Sequence, residues 1–222
     1  FNRKTSDGEI LGFYKDGSHV GGIGTVGGDL YLDSAGGELA IKINGTTKYE
    51  FDSSQFYSKI DGQTSLGVDS NRFKDLYLSG GVYLGGTGSA NKLDDYEEGT
   101  FTPLAKGTST NPTVAPTLIG HYTKIGDQVT IYIKFDAVSF AGATGGVYFD
   151  GLPFSASGAT VHGIGSVMQY NVCTFNDSPC LYVSGSAAYI YHNVSGSSWD
   201  NSAHTGSSQV YMNAVCTYKT TA

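Results

Sequence analysis

A net charge of −7 over 222 residues has the wrong sign for neutralising phosphates, which argues against nucleic acid as a partner. No apolar run approaches the roughly 20 residues that span a bilayer and no signal-peptide pattern is present, so membrane insertion is not expected. Glycine is abundant (32), tyrosine unusually so (16), and charged residues make up 15%; with apolar residues spaced by two, the chain reads as all-β.

Residues 1–28 are polar and glycine-dense, ending Gly21-Gly-Ile-Gly-Thr-Val-Gly-Gly28. The segment Asp29-Leu-Tyr-Leu32 follows, then a hairpin. Leu39, Ile41 and Ile43 alternate with polar residues, Asn44-Gly45 supplies the two-residue turn, and Tyr49 and Phe51 continue on the return strand. Asn-Gly between alternating runs is a strong hairpin signal because both positions tolerate positive φ. Leu66-Gly-Val68 then leads to Asp75-Leu-Tyr-Leu78, a repeat of the earlier tetrapeptide 46 positions on (75 − 29). Each copy is expected to form a short strand running into a glycine-rich turn. Val82-Tyr-Leu84 and the break Gly85-Gly-Thr-Gly88 close this part.

About ten scattered apolar residues must stabilise about seventy here, and an isolated hairpin of this kind is marginal in water. A short β-unit used again needs stacked copies or sister chains to bury its apolar face. Ile41, Ile43, Leu76, Leu78, Val82 and Leu84 are the candidates for an interchain core.

Residues 91–99 form an acidic connector. The charge distribution changes there: residues 1–99 carry 9 basic and 15 acidic side chains, residues 100–222 carry 4 and 5. From residue 100 the alternation is cleaner. Val129, Ile131, Ile133 and Phe135 point one way, and Gly126-Asp127 turns that strand back on 121–125. Leu181–Val183 and Ala187–Tyr191 flank the turn Ser184-Gly-Ser186, and Val210, Met212, Ala214, Cys216 and Tyr218 alternate near the end. About eight strands at regular spacing suggest an antiparallel sandwich or jelly roll. The expected organisation is a β-rich stalk over 1–90, the connector over 91–99 and a tip domain over 100–222.

The chain resembles the distal part of a bacteriophage tail fibre, of the type found in phages of cyanobacteria and other aquatic bacteria. The resemblance rests on residues 2–17, on Arg72-Phe-Lys-Asp-Leu-Tyr-Leu-Ser-Gly80, on Leu93-Asp-Asp-Tyr-Glu-Glu-Gly-Thr-Phe-Thr-Pro103, on Tyr122-Thr-Lys-Ile-Gly-Asp-Gln-Val-Thr130 and on Gly151-Leu-Pro-Phe154. It covers 1–154 in patches; beyond 155 only the general style of a variable β-rich tip is shared. The resemblance implies a homotrimeric fibre with its amino-terminal side towards the virion and other tail proteins. Its tip is then expected to contact a host-surface receptor, foremost a polysaccharide, after assembly in the bacterial cytoplasm. No match to a self-cleaving chaperone is found after residue 100, so either none is used or it has been removed. The start at Phe1 suggests missing virion-proximal sequence.

Motifs for chemistry are sparse. Gly22-Ile-Gly-Thr-Val-Gly27 satisfies G-x-G-x-x-G, but a strand and not a helix is expected after it, so a dinucleotide site does not follow. Asp94, Asp95, Glu97 and Glu98 fit no calcium loop and read as a solvated connector. The five histidines contain no pair at metal-ligand spacing, so neither cofactor nor metal is expected. Cys173, Cys180 and Cys216 read as reduced thiols, with a Cys173–Cys180 bridge as the alternative. The tip has no glutamate, and its aspartates (127, 136, 150, 177 and 200) are scattered, which weakens a glycosidase reading; no enzymatic activity is expected.

Contact with a receptor is expected from the polar stretch 195–209, which contains the single tryptophan. Long polar loops on a rigid β scaffold carry recognition. Trp199, Asp200, Asn201 and His204 are the candidate residues, with Tyr191, His192 and Asn193 as neighbours; a lone Trp in core or against a sister chain is the competing reading. The alternatives to an adsorption protein are a purely structural virion protein and a depolymerase with its site between chains.

Overall fold

The computed structural model describes residues 6–158, 162–174, 178–194 and 198–221. The chain divides into two compact units, 1–77 and 78–222. The described strands all pair antiparallel, make up 57% of the structure and leave almost no helix.

In the first unit, β1 (Gly8–Lys15), β2 (Ser18–Val26) and β3 (Asp29–Ser34) form one three-stranded meander; β4 (Leu39–Ile43), β5 (Thr46–Phe51) and β6 (Phe56–Ser58) form another. The Asn44-Gly45 turn occurs as expected, with both residues at positive φ. Gly22 and Gly24 lie within β2, where a Cβ would run into the Glu9 carboxylate and the Tyr31 hydroxyl respectively. The glycines thus make room for polar side chains crossing the sheet, and strand β3 follows them. Packing accounts for Gly22 and Gly24, and the turn at positive φ accounts for Gly27.

Glu50 is only 5% exposed. Its carboxylate accepts hydrogen bonds from Lys59 Nζ at 2.5 Å and the Tyr57 hydroxyl at 2.9 Å. The hydrogen bond from Lys59, then that from Tyr57, holds its carboxyl below the usual glutamate range. Phe56 stacks on Phe51 and Tyr49 at ring-centroid separations of 4.4 and 5.4 Å. The register pairs Leu39 with Phe51 and Ile41 with Tyr49, so aromatic and aliphatic side chains share one face.

The second Asp-Leu-Tyr-Leu copy corrects an expectation. Asp29–Leu32 opens β3, but residues 75–78 belong to no strand among the described residues. Tyr77 is 90% exposed. The tetrapeptide is compatible with a strand, and β3 becomes one because β2 offers it an edge. Ile41, Ile43 and Leu76 in this unit, and Leu78, Val82 and Leu84 in the next, are all exposed in the single chain.

The second unit opens with a small hairpin, β7 (Val82–Tyr83) paired to β8 (Lys92–Leu93). Ten further strands make one continuous antiparallel sheet. They are β9 (Tyr96–Phe101), β10 (Leu104–Gly107), β11 (Ile119–Ile125), β12 (Gln128–Val138), β13 (Val147–Asp150), β14 (Gly163–Tyr170), β15 (Cys180–Ser184), β16 (Ala187–Val194), β17 (Ser198–Asn201) and β18 (Val210–Lys219). The order is β10-β13-β16-β15-β14-β18-β12-β11-β9, with β17 on β16. Tyr96–Phe101 straddles the connector boundary expected at 99 and pairs with β11.

The sheet curls into a half-barrel. Phe135 of β12 and Phe149 of β13 lie on strands far apart in the order, yet their ring centroids are 6.0 Å apart, with Phe140 at 5.4 and 6.4 Å from them. A single curled sheet therefore supplies both walls of the core, a sandwich-like arrangement made by one sheet folding over. Val129, Ile131, Ile133, Leu181, Val183, Ile190, Val210 and Met212 fill it by strict alternation. Each such side chain contributes about 1.5–3 kcal/mol by leaving water.

Candidate functional site

The site is built on the β15–β16 hairpin and the short strand β17. Inward positions Leu181, Val183, Ala188 and Ile190 anchor the hairpin to the core, so Cys180, Tyr182, Tyr189, Tyr191 and Asn193 fall on the opposite face by alternation. β13 pairs with β16 only as far as Tyr189, and β17 takes up the same edge from Tyr191 to Val194. This places Trp199 opposite Asn193 and Asp200 opposite His192.

Asn201 holds the junction of the three strands. Its Nδ2 donates to the carbonyls of Val147 and Ile190, both at 3.0 Å. A Cβ at Gly146 would collide with the Asn201 side chain, so only glycine fits there. Val147 N–H donates to the Ser202 carbonyl, and Ser202 N–H to the Ile190 carbonyl. His192 Nδ1 lies 2.9 Å from the Ser202 hydroxyl, fixing the ring against a fully buried partner.

An open cavity of about 790 Å³ results, lined by Ile164, Ser178, Cys180, Tyr182, Tyr191, His192, Asn193, Ser198 and Trp199. Trp199 is 74% exposed. Tyr182 and Tyr191 meet edge to face at 5.2 Å, and His162 lies tilted against Tyr182 at 4.9 Å. Desolvation, with smaller contributions from Tyr182, Tyr189 and Asp200, raises the Tyr191 phenol above its ordinary value. Its hydroxyl therefore stays protonated and available as a donor. Burial likewise raises the Cys180 thiol, and pushes Cys173 to about 11 and Cys216 to about 12. All three are free thiols, held in the protonated form that is a poor nucleophile.

Of the residues expected from the sequence, Tyr191, His192, Asn193 and Trp199 come together at this cavity. Asp200 is exposed beside it on β17, and Asn201 serves the strand junction. His204 sits elsewhere: its Nε2 lies 2.9 Å from the Lys106 carbonyl and its ring meets Phe140 at 5.5 Å. Desolvation lowers its basicity, opposed by that backbone hydrogen bond. The stretch expected as a loop over 195–209 contains strand β17; residues 195–197 lie outside the described residues, as do Asp177 and residues 2–5 of the quoted resemblance.

Tyr182, Cys180, Ser178 and Ile164 were not foreseen, while Ser198 falls in the stretch 195–209 singled out from the sequence. The sequence held a signal for the first two, because a turn at Gly185–Ser186 puts Tyr182 opposite Tyr189, on the face of Tyr191.

The four connector carboxylates each have a local partner. Asp94 pairs with Lys92 at 2.9 Å, Asp95 with Lys124, Glu98 with the Tyr96 hydroxyl at 2.9 Å, and Glu97 with the Tyr122 hydroxyl. Among the described residues no group of three or more His, Cys, Asp or Glu side chains converges as a metal site.

The cavity thus combines flat aromatic faces with hydroxyl, amide and imidazole groups, and its described lining contains no Asp, Glu, Lys or Arg. Such a surface can stack a ring and hydrogen-bond its substituents. No protein-family model, curated protein or solved structure matches this chain.

Proposed function

We propose that this chain is a segment of a homotrimeric virion tail fibre whose carboxy-terminal unit adsorbs the particle to a polysaccharide on the host cell. The observation that carries the reading is the aromatic, uncharged cavity around Trp199, Tyr191 and Tyr182. The apolar face of a sugar ring stacks on such rings, while Asn193, Ser178, Ser198 and His192 meet its hydroxyls. Each contact is weak, and display of several fibres per particle multiplies them. The described lining offers no pair of carboxyl groups to flank a glycosidic bond, so binding without cleavage is the reading favoured.

The trimer is supported by a second observation. No aliphatic or aromatic side chain among the described residues 6–77 is fully buried, whereas Leu30, Leu32, Ile41, Ile43 and Phe73 are exposed. Sister chains would cover them. The amino-terminal side then faces other tail proteins.

The test is a glycan array probed with the purified trimer and with Trp199→Ala, alongside adsorption to host cells. Truncating so exposed a ring should leave the melting temperature unchanged and reduce both signals by about tenfold or more. Glycan binding with released oligosaccharides would replace adsorption by depolymerisation. No glycan signal, with adsorption unaffected by the variant, would leave a structural virion protein as the better account.

A further inference from the structure

The aromatic surface does not stop at the cavity. Tyr189 lies beside Tyr191 with ring centroids 6.2 Å apart, and beyond it Tyr148 stacks on Tyr189 at 5.4 Å, nearly parallel at 24°. The register explains the continuity: Tyr148 on β13 is opposite Tyr189 on β16, which is opposite Tyr182 on β15. These tyrosines share the outward face of three neighbouring strands, because their alternating neighbours Val147, Phe149, Ala188, Ile190, Leu181 and Val183 fill the core. All are partly exposed. Core packing needs no aromatic ring here, and a merely solvated face would be met as well by Ser or Thr.

The spacing is the informative part. Successive ring separations of 5.2, 6.2 and 5.4 Å lead from the cavity across the sheet, so ring after ring is offered at intervals of about one sugar unit. The rings from Tyr182 to Tyr148 are uncharged, and charges of both signs flank them: Asp200 beside Tyr191, with Lys106 and Asp150 beside Tyr148. A polymer of either sign would meet a like charge along that path, while an uncharged one loses no ionic hydration in covering it.

We infer that the binding site is an extended strip for a chain of neutral sugars, running from the Trp199 cavity over Tyr189 to Tyr148. This rests on the adsorption reading above and deepens it: the ligand is an uncharged polysaccharide segment several units long, and Tyr148 and Tyr189 determine the preference for length. The cavity holds one end, and the tyrosine strip adds weaker contacts to successive units.

The experiment uses the full chain and immobilised gluco-, manno- and galacto-oligosaccharides of one to eight units, with uronic-acid series of equal length. Affinity for a neutral series should rise with length, by about threefold to tenfold for each ring newly covered, and level off once Tyr148 is reached. Tyr189→Ala and Tyr148→Ala should remove the gain for long members while leaving the shortest bound members unchanged. Trp199→Ala should weaken every length. Tyr189→Phe and Tyr148→Phe keep the ring stack and should retain the gain, which separates lost contact from lost fold. Binding that is independent of length, untouched by the tyrosine variants or stronger for the uronic series would overturn the strip while leaving glycan adsorption standing. No binding to any series would remove both.

Discussion

The two units of this molecule solve the same problem with unequal means. Residues 78–222 enclose a core of phenylalanine, isoleucine, leucine and valine within one curled sheet, seven of whose ten described strands have neighbours on both sides. Residues 6–77 hold two three-stranded meanders, and no aliphatic or aromatic side chain described there is fully buried. Burial of apolar surface supplies most of a domain's stability, and the second unit achieves far more of it within the single chain than the first does. Glycine use follows the same division. In the first unit it lets polar side chains cross the sheet, at Gly22 and Gly24; in the second it admits Asn201 at a strand junction, at Gly146.

That contrast can be broken at its strongest point. Phe149→Ala removes a fully buried ring that meets Phe135 and Phe140, and should cost about 3–5 kcal/mol in chemical denaturation of the second unit. A loss below about 1 kcal/mol would mean that the core is not self-sufficient. The opposite side of the comparison is sharpened by Ile43→Asp. In a solitary chain this exposed position should tolerate a charge within about 0.5 kcal/mol. If sister chains cover it, light scattering should fall from the mass of three chains towards one.

A smaller effect is expected at Gly146. Gly146→Ala forces the added methyl against Asn201, costing about 1–3 kcal/mol and loosening β17, with weaker glycan binding as a readout. Asn201→Ala frees the space but forfeits two hydrogen bonds, so the double variant should be no worse than the sum of the singles and better than additive. Strict additivity would disprove the clash.

The smallest effect is that of pH on the first unit. Lys59 and Tyr57 lower the Glu50 pKa in the folded state. The contribution of that group is therefore present above its unfolded pKa and lost as pH falls through the depressed folded value. Acidification below the ordinary glutamate range should loosen β4–β6, seen as faster amide exchange at Glu50 and Tyr57, and Glu50→Gln should flatten that dependence.

Much of the second unit was legible in the sequence. Val129 to Phe135, Val210 to Tyr218 and the two strands around Gly185–Ser186 announce themselves by alternation, since one face of each is core. The Asn44-Gly45 turn was equally plain. The curl was not, because sandwich and half-barrel demand the same alternation and differ only in which strands pair. β17 was hidden for a different reason: Ser-Trp-Asp-Asn has little intrinsic strand preference and pairs only because β16 outruns β13. The second Asp-Leu-Tyr-Leu copy misled in the reverse direction, since identical residues form a strand only where an edge awaits them. At the site, Trp199 and its neighbours across β16 were found by residue type, while Tyr182 required the hairpin register. His204 shows the limit of residue type alone, as its polar ring is held between Phe140 and a backbone carbonyl.

None of the described residues from Tyr191 to Asn201 contributes to the buried core. Substitutions on the outward face of that hairpin tip can therefore accumulate at little cost to folding, provided Asn201 keeps its place. On the adsorption reading proposed above, a laboratory library confined to positions 191, 193, 198 and 199 should yield many folded variants with altered glycan preference.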